Sequence, residues 1–237
     1  MRPARKRAQA IAQGRAREHR VIVPLAFDVA ARISARPIEV FRSDPTQLAN
    51  GLSELWRALG ADGIVVACAD GMERESSVDG ALDAASIIAE GRVAASLEAC
   101  ARLRQSCADE AALVAGLTGP AALARAFASD IEQAGTCFAA LTQAYCAAGA
   151  DLVLVIEDAG QVEDAAWQAA IQTAGNIARF HQASLLGWTT TSLATPVKQA
   201  LRAPSTAGVG FIMTDAPVAA DADIAALRDW VSAVRGA

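Results

Sequence analysis

Aromatic residues make up only 5% of this 237-residue chain, tyrosine occurs once and histidine twice. So few large rings argue against an aromatic-rich all-β core, and the abundant alanine favours closely packed helices. No apolar run in the sequence approaches the roughly 20 residues needed to cross a bilayer. The first residues lack the apolar stretch of a secretory signal. No phosphate loop and no GxGxxG pattern follows a strand-like run, which counts against nucleotide binding. The five cysteines, Cys68, Cys100, Cys107, Cys137 and Cys146, contain no CxxC pair. An odd, scattered set suits reduced thiols in a cytoplasm, packed as small core residues.

What is present is unevenly charged. The net charge is −5, yet residues 1–20 hold seven Lys or Arg and one Glu. That stretch therefore carries +6 and the remainder −11. An acidic body excludes a nucleic-acid channel as the main surface. The basic start reads as a helix or extension over residues 1–19, laid on a single domain of residues 20–237. Contact with RNA or an acidic partner is its functional alternative.

The dominant rhythm is a short apolar run followed by a helical pattern. Strands are expected at VIVPLAF (21–27), GIVVACA (63–69), AALVAGLTG (111–119), DLVLVIED (151–158) and GVGFIMTD (208–215), with one or two more in NIARFHQASLLGW (176–188). Asp44 as N-cap, Pro45 at the first helical position and Gly60 near the stop bracket a helix with Leu48, Leu52, Leu55, Trp56 and Leu59 at helical spacing. Residues 81–106 read as helix broken near Gly91, TPVKQALR as a short helix, and DIAALRDWVSAVR as a closing one. Strands apolar on both faces, each followed by a helix, indicate a parallel sheet with covered faces. A closed (β/α)8 TIM barrel and an open doubly wound sheet both fit.

In a barrel the active site lies at the C-terminal ends of the strands. Carboxylates collect there: Asp28, Asp70, Glu157 and Asp158, and Asp215, with His181 in ARFHQ. Each has a structural reading. Asp70 before Gly71 can cap its own turn, Asp28 and Asp158 can start a helix or turn, His181 can be a hydrogen-bonded core residue, and Asp215 can be a turn residue. Glu73 and Glu75 read as residues of a solvated loop.

The stretch HRVIVPLAFDVAARISARPIEVFRSDPTQLANGLSELWRALGADGIVVACAD resembles the N-terminal part of the uroporphyrinogen decarboxylase-like superfamily. That superfamily includes the decarboxylase and methyltransferases that work with corrinoid proteins. SLEACARLRQSCADEAALVAGLTGPAALARAF, ALTQAYCAAGADLVLVIEDAG and GVGFIMTDAPVAADADIAALRDWVSAVR continue the resemblance in the family's order, over most of residues 19–235. It implies a compact (β/α)8 barrel with an N-terminal helix. It implies that Asp70 stands where the decarboxylase binds the pyrrole N–H groups of a tetrapyrrole, a fitting task for an acceptor-only carboxylate. Arg32 and Arg36 follow a pattern nearer the methyltransferases, whose zinc is held by a His-x-Cys pair and a later Cys. His181 stands where that His would be as a metal ligand, but Ala183 replaces the first Cys and TDAPV (214–218) offers no later one, so the usual zinc site is not supported. The chain is shorter than usual members of the family.

The leading expectation is a barrel enzyme of corrinoid-linked methyl transfer without that zinc site, the corrinoid being carried by a partner protein. Asp70, His181 and Glu157 would be catalytic, and Asp28, Arg32 and Asp158 would bind substrate. The alternatives are a decarboxylase of a tetrapyrrole or related acid, and a non-catalytic barrel serving as a partner subunit.

Overall fold

A computed structural model describes residues 2–15, 19–68, 71–158, 165–190 and 210–236. Helix α1 (Ala4–Ala12) precedes strand β1 (Arg20–Val23), then come α2 (Phe27–Ile33), α3 (Ile38–Ser43), α4 (Pro45–Leu59) and β2 (Gly63–Ala67). The chain continues through α5 (Met72–Glu75), α6 (Ala84–Ala89), α7 (Gly91–Cys107), β3 (Ala112–Thr118), α8 (Pro120–Phe127), α9 (Ile131–Ala148) and β4 (Leu152–Asp158). It closes with α10 (Ala165–Phe180), β5 (Ser184–Thr190), β6 (Gly210–Met213) and α11 (Ile224–Gly236).

Every strand pairing is parallel among the described residues. One sheet has the order β2-β3-β4-β5, and β1 pairs with β6 in a second. β3 is buried at all seven positions, with helices covering the sheet. Packing of α11 on α4, α4 on α7, α7 on α9 and α9 on α10 follows the strand order around the outside. The architecture is thus a parallel α/β fold. Of the expected ring of eight strands, the described residues show six, in two parallel sheets. β5 and β6 are each the last strand of their sheet, and the segment between them, with TPVKQALR in it, lies outside the described residues.

Local chemistry sets the element ends. Asp44 caps α4, accepting hydrogen bonds from the Thr46 and Gln47 N–H groups at 2.8 and 3.0 Å, and Pro45 takes the first turn where no N–H partner is needed. Leu48, Leu52, Leu55 and Leu59 then face the core. Of the one or two strands expected within 176–188, one is present, β5 from Ser184, while the residues up to Phe180 belong to helix α10. Ala170, Ala174 and Ala178 recur at helical spacing and are buried, so the helix face outweighs the local β-propensity of Ile177 and Phe180.

At the N-terminal ends of the strands a device occurs twice. GAD at 60–62 and GAD at 149–151 each place a left-handed glycine after a helix and an aspartate before a strand. Asp62 donates its N–H to the Ile22 carbonyl and accepts the Ile22 N–H on its carboxylate at 3.0 Å. Asp151 does the same with Leu113, its carboxylate accepting the N–H at 2.9 Å. α1 docks on both. Arg7 grips Asp62 at 2.8 and 3.2 Å, and Arg5 reaches Asp151 at 3.3 Å. Arg104 also pairs with Asp151. Burial pushes the Asp151 carboxyl above the ordinary aspartate range, opposed by Arg104, the Leu113 N–H and Arg5. Arg7 is itself buried, so the basic start is anchored in the body rather than laid loosely on it.

Candidate functional site at the C-terminal ends of the strands

The turn from β3 into α8 is held between two buried carboxylates. Glu73, on the single turn α5, accepts hydrogen bonds from the Thr118 N–H at 3.0 Å and the Thr118 hydroxyl at 2.9 Å. It is 1% exposed, which corrects its expected place on a solvated loop. Glu157, near the end of β4, accepts the Ala121 and Ala122 N–H groups at 2.9 Å each and the Trp167 indole N–H at 2.8 Å. The free amides of the first turn of α8 and its partial positive charge suit a carboxylate there.

Gly119 makes this approach possible. A Cβ at that position would lie 2.4 Å from the Glu157 carboxylate, well inside contact distance. The chain therefore needs glycine before Pro120, and Pro120 suits the first position of α8 because it lacks an N–H to satisfy.

Across the same end of the strands, Asp28 on α2 pairs with Arg42 at 2.7 Å, and the Arg42 guanidinium lies 6.0 Å from the centre of the Phe27 ring. Arg32 donates to the Ala222 carbonyl, tying α2 to the loop after β6. Thr214 accepts the Leu25 N–H at 3.1 Å and donates to the Ala216 carbonyl, which joins the exits of β1 and β6. Asp158 closes β4 in register with Thr190 of β5. Asp215 is exposed in the bend after β6.

Asp28, Arg32, Glu157 and Asp158 all belong to the C-terminal side of the strands. Asp70 lies outside the described residues. His181 is corrected in position. It occupies the turn between α10 and β5, at the N-terminal end of a strand, with a ring nitrogen 2.9 Å from the Gln143 side-chain amide. That places it at the opposite end of the sheet from Glu157.

The described donors do not fit a zinc site. No group of three or more His, Cys, Asp or Glu residues converges among the described residues. Burial pushes the thiols of Cys100, Cys137 and Cys146 up to about 12, far from the thiolate a metal needs. Among the described residues, the side-chain neighbour of His181 at hydrogen-bonding distance is the Gln143 amide, not a second metal donor. No helix among the described residues is long and apolar enough to cross a membrane.

Three residues of this end escaped sequence reasoning: Glu73, Thr118 and Trp167. Glu73 and Thr118 are 45 positions apart, and no local pattern links them. The Gly-Pro at 119–120 was the one available signal, because a glycine directly before a helix-opening proline suggests a close approach by another group.

No family profile matches the chain, and no curated protein does. Among solved structures the chain is similar to a methyltransferase from Methanosarcina mazei, with a TM-score of 0.70 and 12% identity, covering 100% of this chain and 99% of that one. At this identity the likeness is one of fold.

Proposed function

We propose that the chain is a methyl-transfer enzyme, built as a compact (β/α)8 barrel of the uroporphyrinogen decarboxylase-like type and working with a methylated corrinoid carried by a partner protein in the cytoplasm. The observation that carries this reading is the fold likeness to a methyltransferase over the whole chain. The sequence resemblance over most of residues 19–235 supports the uroporphyrinogen decarboxylase-like type. In this reading residues 1–19 are an extension and 20–237 the catalytic domain.

The roles follow from chemistry at the strand ends. Asp70 accepts N–H donors of the substrate. Asp28 with Arg32, and Asp158, line the approach. Glu157 is a positioning residue: its oxygens are already engaged by α8 and Trp167, so it fixes the wall of the site instead of touching substrate. No step is routed through zinc, and His181 stands apart from the reaction.

The test is demethylation of methylcobalamin by the purified protein with a thiol acceptor, followed by the change in the cobalamin visible spectrum. Asp70→Asn is expected to lower kcat/KM by about 100-fold, as for loss of one charged stabilising group. His181→Ala is expected to leave it unchanged. Wild-type protein inert to methylcobalamin and to a methylated corrinoid protein overturns the reading.

One observation favours a second reading. Glu73, Glu157 and Asp28 are all engaged by groups of the protein itself, as expected of a barrel that serves as a binding partner. Stable co-purification of a partner, together with absent turnover, would select it. Release of carbon dioxide from a porphyrinogen would select the decarboxylase instead.

A further inference from the structure

At the opposite end of the molecule, where the strands begin, a cavity of about 350 Å³ opens beside α1, β1 and α11. Its walls carry four arginines, Arg2, Arg7, Arg20 and Arg235, with His19 and Asp62. Among the described residues that line it, four arginines accompany one carboxylate, an excess of three positive charges in a chain whose overall charge is negative.

The one carboxylate is fully committed. Asp62 accepts from Arg7 twice, from Arg235 at 3.1 Å and from the Ile22 N–H. Arg7 is equally committed, since it also donates to the Arg2 and Arg20 carbonyls. Arg2 and Arg20 are different. Their guanidinium groups have no hydrogen bond or ion pair among the described residues. Two arginines without a partner on the wall of one cavity point to an anionic ligand.

We propose that this cavity binds a compact oxyanion of two or more charges, held by Arg2 and Arg20 with the outer face of Arg235. Guanidinium groups match both phosphate and carboxylate oxygens in a two-pronged geometry. The cavity volume lies at the lower end of ligand pockets, which suits a small anion rather than a polymer. The anion would bridge the first helix, the first strand and the last helix, locking the two ends of the chain together. This site is independent of the proposed methyl transfer and lies at the other end of the sheet.

The test is calorimetric titration of the full chain with pyrophosphate and, separately, citrate, at constant ionic strength. Thermal unfolding is recorded in parallel with each anion. Saturable binding of either anion, with a raised Tm, is expected, and the tighter of the two identifies phosphate or polycarboxylate as the natural class. The double variant Arg2→Ala/Arg20→Ala spares both Asp62 pairs, so its Tm without anion should match the wild type. Its affinity should fall by about tenfold or more, the scale of losing charge-assisted hydrogen bonds. Arg2→Ala alone, at an exposed position ahead of α1, keeps the test decisive if the double variant fails to fold. Equal weak binding of both anions and of chloride, or unchanged affinity in the variants, overturns the proposal.

Discussion

Replacing Glu157 by glutamine removes one charge and turns one acceptor into a donor while keeping the volume. In the wild type Oε1 receives the Ala121 and Trp167 N–H groups and Oε2 receives that of Ala122. The amide oxygen of glutamine can keep the first pair. Its NH2 group then points at the Ala122 N–H, donor against donor. A hydrogen bond to a charged group contributes about 1.5–3 kcal/mol, and the favourable field of a helix N-terminus about 0.3–1 kcal/mol more. Neutralising a carboxylate that is 2% exposed recovers part of its desolvation cost. The expected net loss is therefore near the lower end, about 2 kcal/mol. For a chain of this length that lowers Tm by roughly 4–8 °C. Urea unfolding followed by far-UV circular dichroism measures it. A Glu157→Gln protein within about 0.5 kcal/mol of wild type would refute the reasoning. So would lost methyl transfer at unchanged stability, because Glu157 would then act on substrate and not on α8.

Arg7→Ala should cost about 3 kcal/mol in the same urea assay, the low end for a broken buried pair because Asp62 keeps Arg235 and the Ile22 N–H, while Arg5→Ala, on a partly exposed pair, should cost about 1 kcal/mol or less. Titration of native protein with a thiol reagent at pH 8 should label Cys68 first, since Cys100, Cys137 and Cys146 are held near 12 by burial; all five should react once urea unfolds the chain. The Ser86 hydroxyl and N–H lower the pKa of Asp83, the N-cap of α6, so the cap is stabilising above the free-aspartate value of 3.8 and is lost only as pH falls through its lower folded value. The Ser86 amide NMR shift should accordingly titrate with a midpoint below 3.8.

The strands were legible because burial on both faces leaves continuous apolar runs: LVLVI and GIVVA mark β4 and β2 within a residue or two. Caps were legible where the chemistry is local, as at Asp44, Pro45 and Gly60. NIARF misled because its apolar residues look alike at strand and helix spacing until the alanines behind them are counted. The paired GAD sequences were on view, but their meaning depends on Ile22 and Leu113, 40 and 38 positions away. His181 illustrates the main limit. A residue between a helix and a strand falls at one end of the sheet or the other according to which element comes first, and misplacing the boundary by a few residues reversed it. Glu73 was unreadable for a related reason: nothing near MERE announces Thr118.

The seating of α1 also fixes an order of events during synthesis. Arg5 finds Asp151 across 146 positions of chain. At a ribosomal rate of about 5–20 residues per second, roughly 7–30 s separate the emergence of the two. The seating of α1 is thus completed in two stages, and the second must wait until β4 is about to begin. Arg7 has its partner far sooner, since Asp62 follows it by only 55 positions. A nascent chain halted before residue 151 would hold α1 through Arg7 and Asp62 alone, while one extended past it would add the grip of Arg5 on Asp151.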